Sequence, residues 1–250
     1  MKPYMKAYNL FPKVCVAISI VIVCFCLSAT RMGAEEGKEI LFHEDFRNLD
    51  AWEPFNFPKI ERQSSYSIVR EGSASYLKAE SNASASAFLY KNPFDINEYH
   101  KVKWRWKIEN FYNKGNAAEK NGDDYPIRVY IIFEYDPDEA SFTESITYGL
   151  AKAFYGEYPP HSSLNYIWGN KPQEKQIITS PYTDRSKMII MESGDERAKT
   201  WVDEEVDILD DYTRTFGKPP PRTASIAIMN DSDNTGEASI SYIDFIEVYR

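Results

Sequence analysis

The sequence predicts an all-β domain, a single β-sandwich carrying two short helices. Three observations predict it. Short segments rich in Tyr, Phe, Val and Ala recur between Gly, Asn, Ser and Pro breaks, which is the rhythm of a sandwich or barrel. Two longer segments, 101–109 and 127–135, alternate with the period of a strand. Helical spacing is confined to two short stretches.

The elements follow in order. Residues 1–29 carry Lys2, Lys6 and Lys13 ahead of an apolar run from Val14 to Ala29. A basic start, a short apolar middle and small residues at its end are the layout of a secretory signal, or of an uncleaved anchor. The run falls short of the about 20 apolar residues of a membrane span. Residues 30–38 read as a linker, and the sandwich is expected over 39–250. It opens at Glu39-Ile-Leu-Phe-His-Glu-Asp-Phe. Short strands are expected at 66–69, 74–79 and 85–90, punctuated by Gly72, Ser81-Asn82 and Asn92-Pro93.

In the next strand Val102, Trp104, Trp106 and Ile108 share one face, and Lys101, Lys103, Arg105, Lys107 and Glu109 share the other. A long polar loop, 110–124, leads into the strand at 127–135. Phe142, Ile146, Leu150 and Phe154 then recur at four-residue spacing, with Asp138 as a candidate N-cap. A strand returns at 164–168. The segments 187–192 and 200–206 flank Gly194-Asp195 and read as a hairpin. A second helix fits 207–216, stopped by Gly217 and Pro219. Two strands, 223–229 and 238–249, close the chain.

Composition excludes several classes. All three cysteines lie at 15, 24 and 26, so a chain cleaved near residue 29 has no disulfide, thiolate ligand or cysteine nucleophile. Cleavage would also remove three lysines and no acid, taking the formal charge from −9 to −12. Nucleic-acid binders need basic stripes, so that class is excluded. No membrane contact beyond the N-terminal signal is expected. The 43% hydrophobic content over 250 residues suffices for one core.

Candidate sites begin at Gly122-Asp123-Asp124-Tyr-Pro, with Arg128 just inside the following strand. If 102–108 pairs with 127–135, Lys107 and Arg128 fall together, and like charges opposite each other need an anion between them. Asp123, Asp124 or an acidic ligand would supply it, or the group is a salt bridge that pins the loop. Arg105 joins the same candidate site. Trp104 and Trp106 stand on the apolar face and read as core. Trp168 ends a strand at a turn and is the better aromatic for a ligand, while Trp52 and Trp201 carry no further signal. In Asp231-Ser-Asp233-Asn-Thr-Gly236, oxygen-bearing residues occupy the first, third and fifth places of a calcium loop, with glycine sixth. Tyr242 stands where the twelfth-place glutamate belongs. An EF-hand is thereby excluded, leaving a bare Ca2+ site on Asp231 and Asp233, or a tight hairpin turn. No histidine spacing, nucleophile elbow, phosphate loop or dinucleotide fingerprint is present.

Trp104-Arg-Trp106, Gly122-Asp-Asp-Tyr-Pro-Ile-Arg128, Tyr166-Ile-Trp168-Gly, Asp211-Tyr-Thr-Arg-Thr-Phe-Gly217 and Ala227-Ile-Met-Asn-Asp-Ser-Asp233 occur in that order. Together they resemble an uncharacterised secreted bacterial family, domain of unknown function number 3047, over about residues 40 to 249. The resemblance implies an exported β-sandwich, periplasmic or extracellular, and implies no activity. The expectation is a jelly-roll sandwich resembling a carbohydrate-binding module, with a polysaccharide or another envelope component as partner. A glycan-acting enzyme using Asp123 or Asp124 with Glu134 or Asp233 is the alternative, and an envelope protein without a small ligand is a third reading.

Overall fold

A strand with one apolar face must bury that face against another layer. The computed structural model describes residues 38–250 except 139, 156–157 and 173–175. The expected signal at 1–29 and nearly all of the linker lie outside the described residues. The strands are β1 (Ile40–Glu44), β2 (Trp52–Phe55), β3 (Ser65–Glu71), β4 (Ala74–Asn82), β5 (Ala85–Tyr90), β6 (Phe94–Asp95), β7 (Lys101–Ile108), β8 (Arg128–Phe133), β9 (Ser162–Gly169), β10 (Ile177–Thr179), β11 (Ser186–Ser193), β12 (Val202–Asp207), β13 (Thr223–Asp231) and β14 (Ala238–Tyr249). Helix α1 (Phe142–Tyr155) precedes β9, and α2 (Ile208–Phe216) follows β12.

These strands form two sheets. The first runs β12-β7-β14-β4-β3, with β1 also on β14; the second runs β10-β11-β9-β8-β13-β5-β2, with β6 on β13. Pairing is antiparallel except between β9 and β11, which run parallel. The all-β sandwich with two short helices is what the alternation predicts.

The core lies between the sheets. Val102, Trp104, Trp106 and Ile108 of β7 are fully buried, as their shared face predicts. They meet β9 across the gap: Trp104 lies 5.3 Å from Tyr166, and Trp106 lies 5.8 Å from Trp168, between ring centroids. Truncating a core tryptophan of this kind to alanine typically costs about 3–5 kcal/mol.

Four local expectations are corrected. Segment 102–108 does not pair with 127–135: β7 pairs with β12 and β14, and β8 with β9 and β13. Both strands present an apolar row, and the two rows face each other across the core instead of sharing a sheet. Likewise 187–192 and 200–206 form no hairpin, because β11 belongs to the second sheet and β12 to the first. The loop 232–237 is also a crossover between sheets and not a hairpin turn, since β13 and β14 lie in different sheets. Finally, Ser141 caps α1 in place of Asp138. Its Oγ accepts from the Glu144 N–H at 3.3 Å, and Glu144 Oε2 accepts from the Ser141 N–H at 3.2 Å, a capping box. The second helix stops as expected: Asp207 caps its start, and Gly217 closes it at φ 70°.

The outer faces of the two sheets differ. On the second sheet, Ala117 and Tyr125 pack on Ile167 and Met188, while Phe57 and Ile60 pack on Ala85, Ala87 and Met229. Loops thus cover this face, and most of β9 is buried on both sides. On the first sheet, charged side chains alternate with the core residues of β7 and remain partly exposed.

Candidate functional site

The long loop lies on the outer face of the second sheet. Asn170, just after β9, clamps it: its Oδ1 accepts from the Tyr112 N–H at 2.8 Å, and its Nδ2 donates to the Asp124 carbonyl at 2.6 Å. Gly115 must be glycine for this contact, because a Cβ there would meet Asn170 Nδ2 at 2.1 Å. The clamp brings Asp123 and Asp124 against the end of β13.

Four carboxylates and one guanidinium meet there. Arg128 Nε donates to Asp231 Oδ1 at 3.0 Å, and Arg128 Nη2 donates to Asp231 Oδ2. Asp231 Oδ1 also accepts from the Tyr125 N–H at 3.3 Å. Arg128 Nη2 reaches the Asp123 carbonyl at 3.3 Å, and its Nη1 stands 3.9 Å from Asp123 Oδ1. Asp124 accepts from the backbone N–H groups of Asn234 at 3.3 Å and Thr235 at 2.6 Å. Ligand oxygens of Asp124, Asp231 and Asp233 lie within 4.8 Å of one another. Asp124 is 0% exposed and Asp231 1% exposed, whereas Asp233 is half-buried.

Burial dominates the electrostatics. It pushes the Asp123 carboxyl up, against the pull of Arg128, and pushes Asp233 up together with the charge of Asp124. Burial also drives Asp231 up, and the guanidinium draws it back. Bonds from one cation to both oxygens make the ionised pair the form that fits the geometry. Burial alone would lower Arg128, but Asp231 and Asp123 outweigh it and hold it above its ordinary range. The Tyr125 hydroxyl interacts with the Asp123 carboxyl and also lies 3.1 Å from Met188 Sδ. Asp123 Oδ1 is buried without a hydrogen bond.

The structure brings together Asp123, Asp124, Arg128, Asp231 and Asp233, and separates two other predicted residues from them. Trp168 is corrected from ligand aromatic to core: it is fully buried, and its Nε1 donates to the Gly194 carbonyl at 3.0 Å. Its row on β9 faces β7, so the turn after it leaves no ring face free. Arg105 lies on the other sheet, 3.4 Å from Asp244 and 3.8 Å from Asp203. Lys107 is there too, so no like-charge pair with Arg128 exists. Glu134, suggested as a catalytic partner, is exposed just past the far end of β8.

Around Arg105 the sequence reading missed a group. Trp201 lies 5.5 Å from Tyr76 and 6.3 Å from Tyr242, between ring centroids. Lys107 Nζ stands 5.0 Å above Trp201 and 4.4 Å above Tyr242, and Arg105 lies 5.8 Å from Trp201. Trp201 and Tyr242 are partly exposed, and the ion pairs Lys78–Glu80 and Lys107–Glu109 flank them. Outward Tyr242, alternating with inward Ile243, was the readable signal; Trp201 precedes its strand and had none.

The architecture defines a two-sheet β-sandwich of jelly-roll type. The chain belongs to the family described as Protein of unknown function (DUF3047), whose model matches residues 50–247. A search of the curated proteins finds no match to the chain. Among solved structures it resembles a family 11 carbohydrate-binding module from Clostridium thermocellum in complex with a β-1,3-1,4-mixed-linked tetrasaccharide. Identity is 12%, with 84% of this chain and 94% of that chain covered and a TM-score of 0.43. It also resembles a lectin from Bauhinia forficata in complex with GalNAc. There identity is 11%, with 83% of this chain and 97% of that chain covered and a TM-score of 0.42. Both likenesses concern the fold alone.

Proposed function

We propose that the protein is a non-catalytic polysaccharide-binding module of the bacterial envelope, and that it holds sugar chains on the outer face of its first sheet. One observation carries this reading. Trp201 and Tyr242 stand partly exposed on a sheet face, ringed by Arg105, Lys107, Lys78 and Glu80. Aromatic faces pack against the C–H faces of sugar rings, and flanking charged groups hydrogen-bond sugar hydroxyls. A few placed polar groups beside apolar surface is the general form of a small-molecule site. The N-terminal signal layout supports export to the periplasm or beyond.

The buried carboxylates support binding over hydrolysis. Glycoside hydrolysis needs two carboxyls facing the scissile bond across a cleft. Asp124 and Asp231 are instead buried and accept hydrogen bonds from backbone N–H groups and from Arg128.

The test is calorimetry and affinity electrophoresis of the chain against soluble neutral and acidic polysaccharides. At least one should bind, and Trp201→Ala should weaken it about tenfold or more, about 1.4 kcal/mol. Failure of every polysaccharide to bind, or equal affinity in the folded variant, overturns the proposal.

A further inference from the structure

We propose that Asp124, Asp231 and Asp233, with Asp123 beside them, hold one divalent cation of the calcium class, in a site built between the long loop and the β13–β14 crossover. The inference rests on the buried cluster alone and is independent of the sugar-binding reading of the opposite face.

The first argument is geometric. Calcium is coordinated by oxygens at about 2.3–2.6 Å, so ligand atoms on opposite sides of one ion stand about 5 Å apart. One carboxylate oxygen from each of Asp124, Asp231 and Asp233 lies within 4.8 Å of the other two. They come from two segments that are distant in sequence, and the Asn170 clamp holds the first of them at the Asp124 carbonyl. The donors are all carboxylate oxygens, the set that suits a hard cation and not zinc or copper.

The second argument is charge. Four carboxylates face one guanidinium, which leaves three formal negative charges in excess where Asp124 and Asp231 have almost no solvent contact. Buried like charges are costly unless a cation is shared between them. The nearby lysines do not supply it. Lys114 Nζ donates to the Thr235 carbonyl at 3.1 Å, and Lys120 Nζ lies 5.3 Å over the Tyr182 ring.

The third argument rests on one oxygen and not on the count of charges. Asp123 is 7% exposed, and its Oδ1 is buried without a hydrogen bond. That oxygen faces, at 3.9 Å, the guanidinium already committed to Asp231. Buried polar atoms are rarely left in this state, and a cation held beside it by Asp124, Asp231 and Asp233 would offset its charge. Half-buried Asp233 and exposed Tyr182 mark the way in. The Tyr182 hydroxyl lies 3.1 Å from the Lys120 carbonyl and 3.0 Å from Asn234 Oδ1, between the two segments, and donates to one of these oxygens at a time.

The experiment uses the full chain stripped with EDTA. CaCl2 is titrated by calorimetry, and Tb3+ is followed by luminescence excited through the neighbouring tyrosines. The expected result is one Ca2+ per chain, with a dissociation constant on the order of 10 µM to 1 mM. Saturating Ca2+ should raise the thermal midpoint by about 5 °C. Asp233→Asn is half-buried and should fold, yet bind about tenfold more weakly or worse, losing tyrosine-sensitised Tb3+ emission. Asp124→Asn should do the same where it folds, and exposed Asp210→Asn should leave binding unchanged. The proposal is overturned by absence of heat, emission and midpoint shift at millimolar Ca2+, or by wild-type affinity in Asp233→Asn.

Discussion

The outer faces of the two sheets carry arginines in opposite circumstances. Arg128, on the second sheet, is 5% exposed beside Asp123 and Tyr125 and is hydrogen-bonded to both oxygens of Asp231. Arg105, on the first, is partly exposed and reaches two aspartates only at 3.4 and 3.8 Å. The same side chain organises a closed interior in one place and a wet surface in the other. A charged strand residue therefore reports little about function until its cover is known, and here loops supply cover on one face only.

That contrast can be broken by substitution. The largest effect is expected from Arg128→Met. It leaves Asp231 buried and unpaired, which typically costs about 3–5 kcal/mol, and urea unfolding should show the loss. Next comes Trp201→Ala, which should cost sugar affinity about tenfold while the far-ultraviolet dichroism stays native.

A smaller effect is expected at the edge where the sheets meet. Glu204 on β12 accepts from Trp106 Nε1 at 3.3 Å. Burial, and then the charge of Glu192, push its carboxyl up to about 7. Between about 4.5 and 7 the folded chain holds a proton that the unfolded chain has released, so this group makes stability fall as pH rises through that window. Below the window its contribution is fully present, and above it the cost of the buried charge is complete. Glu204→Gln keeps the acceptor without the charge. Its thermal midpoint should exceed that of the parent by a few degrees, about 2–4 °C, at pH 8 and match it near pH 4. An equal gain at both pH values would remove the carboxyl from the account.

The smallest effect belongs to Arg105→Met. Solvent-exposed ion pairs contribute about 0–1 kcal/mol, so the urea midpoint should barely move. A loss as large as that of Arg128→Met would abolish the distinction between the faces.

Strand positions and inward rows were readable from alternation, because a period of two leaves one face apolar: Trp104 and Trp106 are buried as expected. Which strand pairs with which was not readable. The apolar rows of β7 and β8 suit a shared sheet as well as two facing sheets, and only the loop lengths and the rest of the core decide. The short edge pieces β2, β6 and β10 lacked enough residues to show a period. At the buried cluster, four aspartates and Arg128 were singled out as two separate candidates. Their meeting depends on Asn170, a residue with no motif. Trp168 misled because a turn follows it, yet position in a strand, not nearness to a turn, sets the direction of a ring.

Two adjacent residues of β13 face opposite ways. Asn230 reaches inward, donating to the Ala79 carbonyl at 3.2 Å and to Ser241 Oγ at 3.0 Å, while Tyr112 donates to its Oδ1 at 3.3 Å. Asp231 reaches outward to Arg128. A slip of this strand by one residue would exchange the two. It would thrust a carboxylate among serine hydroxyls between the sheets and offer the guanidinium only an uncharged amide. Each residue thus forbids the other's place, and mispaired versions of the central strand are rejected as the chain folds.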